Sequence, residues 1–279
     1  MFCFISLLNY NTLSLQNGNE FGKRQIMESK IHGLNKVAKI TVFFWVMKVF
    51  ATTLGEITGD FFSMTLDNGY LVSLAITVLF LLVVLLIQLK VSKFHPALYW
   101  LVIVGTTTVG TEVSDFMDRT LGLGYAWGSL ILIFGLLLTL ILWHRHIKEI
   151  KVYPITDRRV EIYYWVAILF SNSLGTAFGD FLKDNLGLSY LNGAAITAGI
   201  IILVVLIHYY TKINEILLFW IAFIFTRPFG ATFGDFLTKP LANGGLNFGR
   251  GIAALVTAGL LTLIIFYSHK NRNGKSLAK

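Results

Sequence analysis

Apolar residues recur along this chain in eight long runs, at 39–63, 70–89, 97–118, 125–143, 160–182, 190–210, 216–238 and 248–267. A helix needs about 20 mainly apolar residues to cross the hydrocarbon core of a bilayer. Each run meets or approaches that length. Stretches such as Leu79–Ile87 and Ile200–Ile207 do not alternate with period 2, which argues against a transmembrane β-barrel. The connections are short and leave no room for a second, soluble domain. The pattern predicts an all-α polytopic membrane protein with eight transmembrane helices.

The polar positions divide the runs into two kinds. The even-numbered runs are almost wholly apolar and read as packing helices. The odd-numbered runs share a spaced signature. Trp45, Trp100, Trp165 and Trp220 each stand ten residues before a glycine, namely Gly55, Gly110, Gly175 and Gly230. Each glycine stands five residues before an aspartate, and a phenylalanine follows each aspartate. The strings are GEITGDF, GTEVSDF, GTAFGDF and GATFGDF. Four ungapped copies of one motif mark an internal repeat. Two runs separate successive copies, so all four enter the membrane in the same sense. That predicts four helical hairpins as parallel repeats about an axis along the membrane normal, and not inverted repeats. The tryptophans are expected to be interface anchors at one membrane surface.

These motifs resemble a family of uncharacterised bacterial membrane proteins built from four tandem two-helix repeats, each with a characteristic tryptophan. The resemblance covers about 40–268. It implies the repeated-hairpin fold and brings no activity with it.

Counted from each tryptophan, position +7 holds Thr52, Thr107, Asn172 and Arg227. Position +11 holds Glu56, Thr111, Thr176 and Ala231, and position +15 holds Asp60, Asp115, Asp180 and Asp235. Steps of four stay on one helical face. Each odd helix therefore carries a mostly polar stripe. Glu112 and Thr232 stand one position off it, at +12. Charges inside a span are costly and face a bundle interior or a wet cavity. Hard cations take carboxylate, hydroxyl and carbonyl oxygens. The six acids Glu56, Asp60, Glu112, Asp115, Asp180 and Asp235 are therefore candidate ion-binding or proton-relay groups. Thr52, Thr107, Thr111, Asn172, Thr176, Arg227 and Thr232 are the supporting polar groups. The first half, through Glu56, Asp60, Glu112 and Asp115, is expected to dominate cation binding.

A structural reading competes. Glycines at four-residue spacing, with Gly59, Gly179 and Gly234 at +14, suit close helix packing. Asp115, Asp180 and Asp235 have Arg119, Lys183 and Lys239 within four residues, whereas Asp60 has no such neighbour. Arg227 is read as a fixed internal counter-ion or an anion contact.

Composition narrows the classes. Hydrophobic residues make up 55 % and charged residues 14 % of 279, against about 25 % charged in soluble domains. Mean hydropathy is +0.69. A soluble enzyme is excluded, and the net charge of +8 does not point to nucleic acid. Lys and Arg gather on one side of the predicted topology, 17 against 4. The positive-inside rule then places both termini in the cytoplasm. The single cysteine, Cys3, excludes a disulfide framework or a thiolate metal site. No hydrolase or nucleotide-binding motif is present.

The predicted organisation is a cytoplasmic arm over 1–38, two repeats over 39–143, a basic cytoplasmic loop over 144–159, two repeats over 160–268 and a basic tail over 269–279. Residues 1–26 are expected to be a disordered tail or an overlong reading frame, with Met27 the initiator. The expected function is transport or export of a small inorganic cation across the bacterial inner membrane, with or without proton coupling. A divalent cation is considered as substrate, and no cofactor is expected. The alternatives are a non-transporting structural or sensory membrane protein and a carrier of a small organic solute.

Overall fold

The computed structural model of the chain describes residues 34–66 and 69–277. The expected start at Met27, and the segment 1–26, lie outside the described residues, as do the side chains of the tail from position 269.

Eight long helices account for most of the described chain: α1 (Val42–Asp60), α2 (Gly69–Lys90), α3 (Pro96–Asp115), α4 (Gly124–Ile147), α5 (Arg158–Asp180), α6 (Tyr190–Tyr210), α7 (Glu215–Thr238) and α8 (Arg250–Leu277). No strand occurs among the described residues. Their starts follow local chemistry. Thr41, Asp157, Ser189 and Asn214 accept from backbone N–H groups of the first turns of α1, α5, α6 and α7, which satisfies donors a helix leaves free. Pro96 opens α3, where its missing N–H costs nothing.

Six helices are long and apolar enough to cross a membrane: α1, α2, α4, α6, α7 and α8. The other two, α3 and α5, are rich in Thr, Ser, Gly and acid, and most of their residues are buried. Their polarity faces neighbouring helices, so the composition that lowers their hydropathy also explains their place in the interior.

The odd helices form a closed inner ring. α1 packs on α3, α3 on α5, α5 on α7, and α7 back on α1. The even helices form an outer layer. In the candidate spans, 56 % of α1 and 61 % of α7 are buried, against 17–28 % for α2, α4, α6 and α8. Each outer helix leans on the inner helix of the following repeat: α2 on α3, α4 on α5, α6 on α7, and α8 back on α1. Repeat units are therefore consecutive in sequence but interlocked in space. The expected hairpins exist as connections, and their two legs do not form the main packing pair.

Three repeats end their inner helix in a wider π-helical turn, over Phe61–Thr65, Phe116–Thr120 and Phe181–Asn185. Leu66, Leu121 and Leu186 close these turns by donating to the carbonyls of Phe61, Phe116 and Phe181, at 2.9–3.2 Å. In repeat four Pro240 stands at the last position of this turn. It has no N–H to donate, and a 3-10 turn over Leu241–Asn243 follows instead.

The tryptophan end of the ring is filled with aromatic side chains. Trp100, Trp165 and Trp220 are all at most 4 % exposed. Tyr99 and Phe44 pack edge-on or tilted against them at 5.4–5.6 Å between ring centroids, and Tyr99 and Tyr164 share a 2.6 Å hydroxyl hydrogen bond. These three are core residues that close the ring, which corrects the expectation of interface anchors for them, whereas Trp45 is half-buried. The three stand on the faces of the inner helices that meet one another, while Val46, Leu101, Val166 and Leu217 of the same helices are exposed.

The N-terminal arm also enters this end. Asn35, Lys36, Val37 and Ala38 are buried. The Lys36 ammonium pairs with Glu161 and donates to the Leu89 carbonyl at 3.1 Å. Gln88 and Trp165 donate to the same Glu161 carboxylate at 3.0 and 3.4 Å. Asn35 accepts from the Ile155 amide at 3.0 Å. Part of the predicted basic arm and loop is therefore packed structure.

Candidate polar core and acidic end of the ring

Four equivalent close contacts hold the ring. A Cβ added to Gly55 would lie 2.5 Å from Cβ of Thr107, and one on Gly110 would lie 3.1 Å from Cβ of Asn172. One on Gly175 would lie 2.5 Å from Cβ of Arg227, and one on Gly230 would lie 2.7 Å from Cβ of Thr52. Each +10 glycine thus receives the +7 residue of the next repeat, and the fourth receives that of the first. Only glycine lets the backbones come this close. Thr107 and Thr52 also donate to the Ala51 and Thr226 carbonyls across these seams, at 3.2 and 3.3 Å. Gly59 meets Thr111, Gly179 meets Pro228, and Gly234 meets Glu56 one turn further along.

The +7 layer is wholly buried. Thr52, Thr107, Asn172 and Arg227 are each 0 % exposed. Arg227 reaches from α7 toward α1 and α3. Its Nη2 pairs with the Glu56 carboxylate at 2.7 Å and donates to the Thr111 hydroxyl. Its Nη1 donates to the Thr52 carbonyl at 3.4 Å, and Thr111 donates to Glu56 at 3.2 Å. Of the two roles expected for Arg227, this contact is that of an internal counter-ion. Thr176 donates back to the Asn172 carbonyl at 3.3 Å. Thr232 leaves the axis: its hydroxyl donates to the Pro228 carbonyl at 2.9 Å and its methyl faces Gly193 of α6.

One turn toward the tryptophans lies Lys48, also 0 % exposed. It donates to the Asn172 side-chain amide oxygen at 2.7 Å and sits 3.8 Å from the centre of the Phe223 ring. Asn172 in turn donates to Thr106 at 3.1 Å.

At the opposite end, the four aspartates form two couples, each bridged by one base. Lys239 lies 2.7 Å from Asp60 and 3.1 Å from Asp235. Arg119 lies 2.9 Å from Asp115 and 3.9 Å from Asp180. Arg250 adds a second cation 3.5 Å from Asp60. Asp60, which has no basic neighbour in sequence, is thus paired with two bases of repeat four, because closure of the ring brings repeat four beside repeat one. Lys183 does not take the place expected beside Asp180; it lies over the Tyr190 ring at 4.7 Å. Burial disfavours the Lys239 charge, but Asp235 and Asp60 outweigh that and hold its ammonium above the usual lysine range.

Glu112 differs from the other five acids. It is 0 % exposed, and neither carboxyl oxygen has a hydrogen-bond partner. It stands on α3 where that helix meets α1, with Oε1 3.6 Å from the point a Cβ of Gly59 would occupy. No group of three His, Cys, Asp or Glu poised to hold a metal occurs among the described residues. That Lys239 and Arg250 answer Asp60 escapes a reading confined to local spacing. So does Glu161. A sequence signal for the first two exists in the fourfold repeat, because a closed ring makes the first and last repeats neighbours.

Neither a curated protein nor a solved structure matches the chain. The family model described as Repeat of Unknown Function (DUF347) matches four times, over residues 43–94, 98–148, 163–214 and 218–273. Each match takes in one inner helix and the outer helix after it. With those four tandem matches covering most of its length, the chain belongs to the DUF347 repeat family.

Proposed function

We propose that the protein is an integral membrane carrier of a small inorganic cation, coupled to protons, which crosses the bacterial inner membrane eight times with both termini in the cytoplasm. The observation that carries this reading is Glu112. A carboxyl group taken fully out of water with no donor beside it is costly as a bare anion. It is stable there when it holds a proton or a cation. Such groups inside membrane spans mark ion and proton pathways. Glu112 lies in the same interior as Glu56, Asp60 and Asp115, on the acidic side of a ring whose other end is sealed by aromatic side chains. Opening from the aspartate end, by release of the Lys239 and Arg119 bridges, would give an ion access to Glu112.

The test is flux in proteoliposomes across a panel of alkali and divalent cations, with and without a pH gradient. Glu112→Gln removes the exchangeable site but leaves no base uncompensated, so the variant is expected to fold. It is expected to lose at least about 90 % of flux, as removal of an essential binding group does. Normal flux through the folded variant would exclude the assignment.

A second reading keeps a specific support. The other five acids all have a base within 4 Å, as expected if the motif only locks helices together. On that reading the wild-type protein carries no ion in the same assay.

A further inference from the structure

Arg227 is the only arginine in a layer whose other three equivalents are Thr52, Thr107 and Asn172. We infer that its guanidinium is a tethered cation, occupying a position that a free monovalent alkali cation takes when the arginine withdraws. This deepens the carrier reading above and rests on it for its role in transport.

The hydrogen-bond and ion-pair partners of the guanidinium are all oxygens. They are a Glu56 carboxylate oxygen at 2.7 Å, the Thr111 hydroxyl, and the Thr52 carbonyl at 3.4 Å. They come from two repeats, and the three residues that supply them are at most 5 % exposed. Carboxylate, hydroxyl and carbonyl oxygens are the ligand set of hard cations. One carboxylate balances one positive charge, which favours an alkali ion over a divalent one.

Two features permit withdrawal. The guanidinium Nε has no hydrogen-bond partner, so the fork is only partly engaged. Pro228 follows directly within α7. It cannot donate to the Ile224 carbonyl, which leaves one rung of the helix ladder unmade next to Arg227 and allows the helix to bend there. An arginine that alternates with the transported ion keeps the Glu56 carboxylate compensated in both states, so Glu56 is not left buried and unpaired while the carrier is empty.

Arg227→Thr tests this directly, since it gives repeat four the residue found at this position in repeats one and two. In choline chloride the variant leaves Glu56 without a counter-ion and is expected to melt below wild type. In sodium, potassium or rubidium chloride at equal ionic strength its melting midpoint is expected to rise by roughly 5 °C or more, because a ligand that binds only the folded state stabilises it. It should bind about one radioactive rubidium ion per chain, the occupancy of a single site. Wild type, whose site is filled by its own arginine, should respond to neither. The double variant Glu56→Gln/Arg227→Thr should fold and show no cation response.

A single variant that melts alike in all salts overturns the inference. So does a response that persists in the double variant, and so does failure of both Arg227→Thr and Arg227→Gln to fold in any alkali salt. Flux is scored separately. Cation binding by the single variant without wild-type flux sinks the carrier reading and leaves the site. Wild-type flux without cation binding by the variant sinks the site alone.

Discussion

The seam between α7 and α1 and the seam between α3 and α5 are the same contact built twice. In both, a +10 glycine, Gly230 or Gly110, receives the +7 residue of the next repeat. Their chemistry differs. At the α3–α5 seam the +7 residue of one helix and the +11 residue of the next are Thr107 and Thr176, both neutral. At the α7–α1 seam the same two positions hold Arg227 and Glu56, which pair at 2.7 Å. Lys239 and Arg250 then pair with Asp60 further out. The seam that joins the most distant parts of the chain is the one that carries a buried ion pair. Glycine packing alone fits any repeat against any other. Charge complementarity distinguishes closure of repeat four on repeat one from the alternatives, a role in which buried polar groups are well attested. This also changes the meaning of the acid in the first half. Glu56 and Asp60 answer bases of repeat four, so their concentration there is not evidence of a cation site by itself.

The largest way to break this difference is to remove one partner of the buried pair. Glu56→Gln leaves Arg227 wholly buried and uncompensated. A loss of about 3–5 kcal/mol of unfolding free energy is expected, read by denaturant unfolding in mixed micelles. Replacing both, as Glu56→Gln/Arg227→Gln, should recover most of that loss, since exchanging a buried pair for neutral groups is often close to neutral. A single variant as stable as wild type would remove the charge from the account of ring closure. The sequence alone suggests that Glu56→Gln would affect only flux; the partner across the seam is what adds a cost in stability.

Packing itself is the second target. Gly55→Ala and Gly230→Ala each drive a methyl group to within about 2.5–2.7 Å of a buried threonine Cβ, and overpacking of this kind costs about 1–3 kcal/mol. The two variants should be equally damaging, because the glycine contact is common to charged and neutral seams. Gly179→Ala is the control. Its added Cβ would meet Pro228 at 3.5 Å, an ordinary contact, and its melting midpoint should stay within about 2 °C of wild type, as for a change that meets no clash. If Gly55→Ala melts like Gly179→Ala, the close approach of the helices is not what holds the ring.

Much of this architecture was legible from spacing. The eight helices, the fourfold repeat, the inward glycine face and the buried +7 layer follow from a 3.6-residue period and one repeated motif. The assignment of partners does not. Whether an outer helix packs on its own inner helix or on the next is not encoded in local pattern, and repeat four makes the same choice as the other three without their π-helical turn. The place of the tryptophans is undetermined in the sequence for a related reason. An aromatic near a span end suits either an interface or a plug, and only the ring places Trp100, Trp165 and Trp220 inside. In sequence Glu112 differs from the other acids only in standing one position off the stripe. It stands apart only once Glu56, Asp60, Asp115, Asp180 and Asp235 are seen to have bases and it is seen to have none.

The smallest expected effect concerns the other buried cation. Lys48 lies next to the Arg227 layer without a carboxylate within ion-pair distance among the described residues. Its contacts are the Asn172 oxygen and the face of Phe223. A buried ammonium with so little compensation stabilises the ring weakly or not at all, since desolvation offsets the cation–π and hydrogen-bond gains. Lys48→Met keeps the length and apolar stem of the side chain and removes the charge. Asn172 keeps its bond to Thr106. The variant should be as stable as wild type or more stable by up to about 1–2 kcal/mol, in line with apolar replacement of buried ions. That outcome, set beside a large loss in Glu56→Gln, would separate the two cations: Arg227 closes the ring through its partner, and Lys48 is retained for a reason other than stability. A loss in Lys48→Met as large as that in Glu56→Gln would show instead that both charges hold the seam together, and the contrast between paired and unpaired interiors would fail.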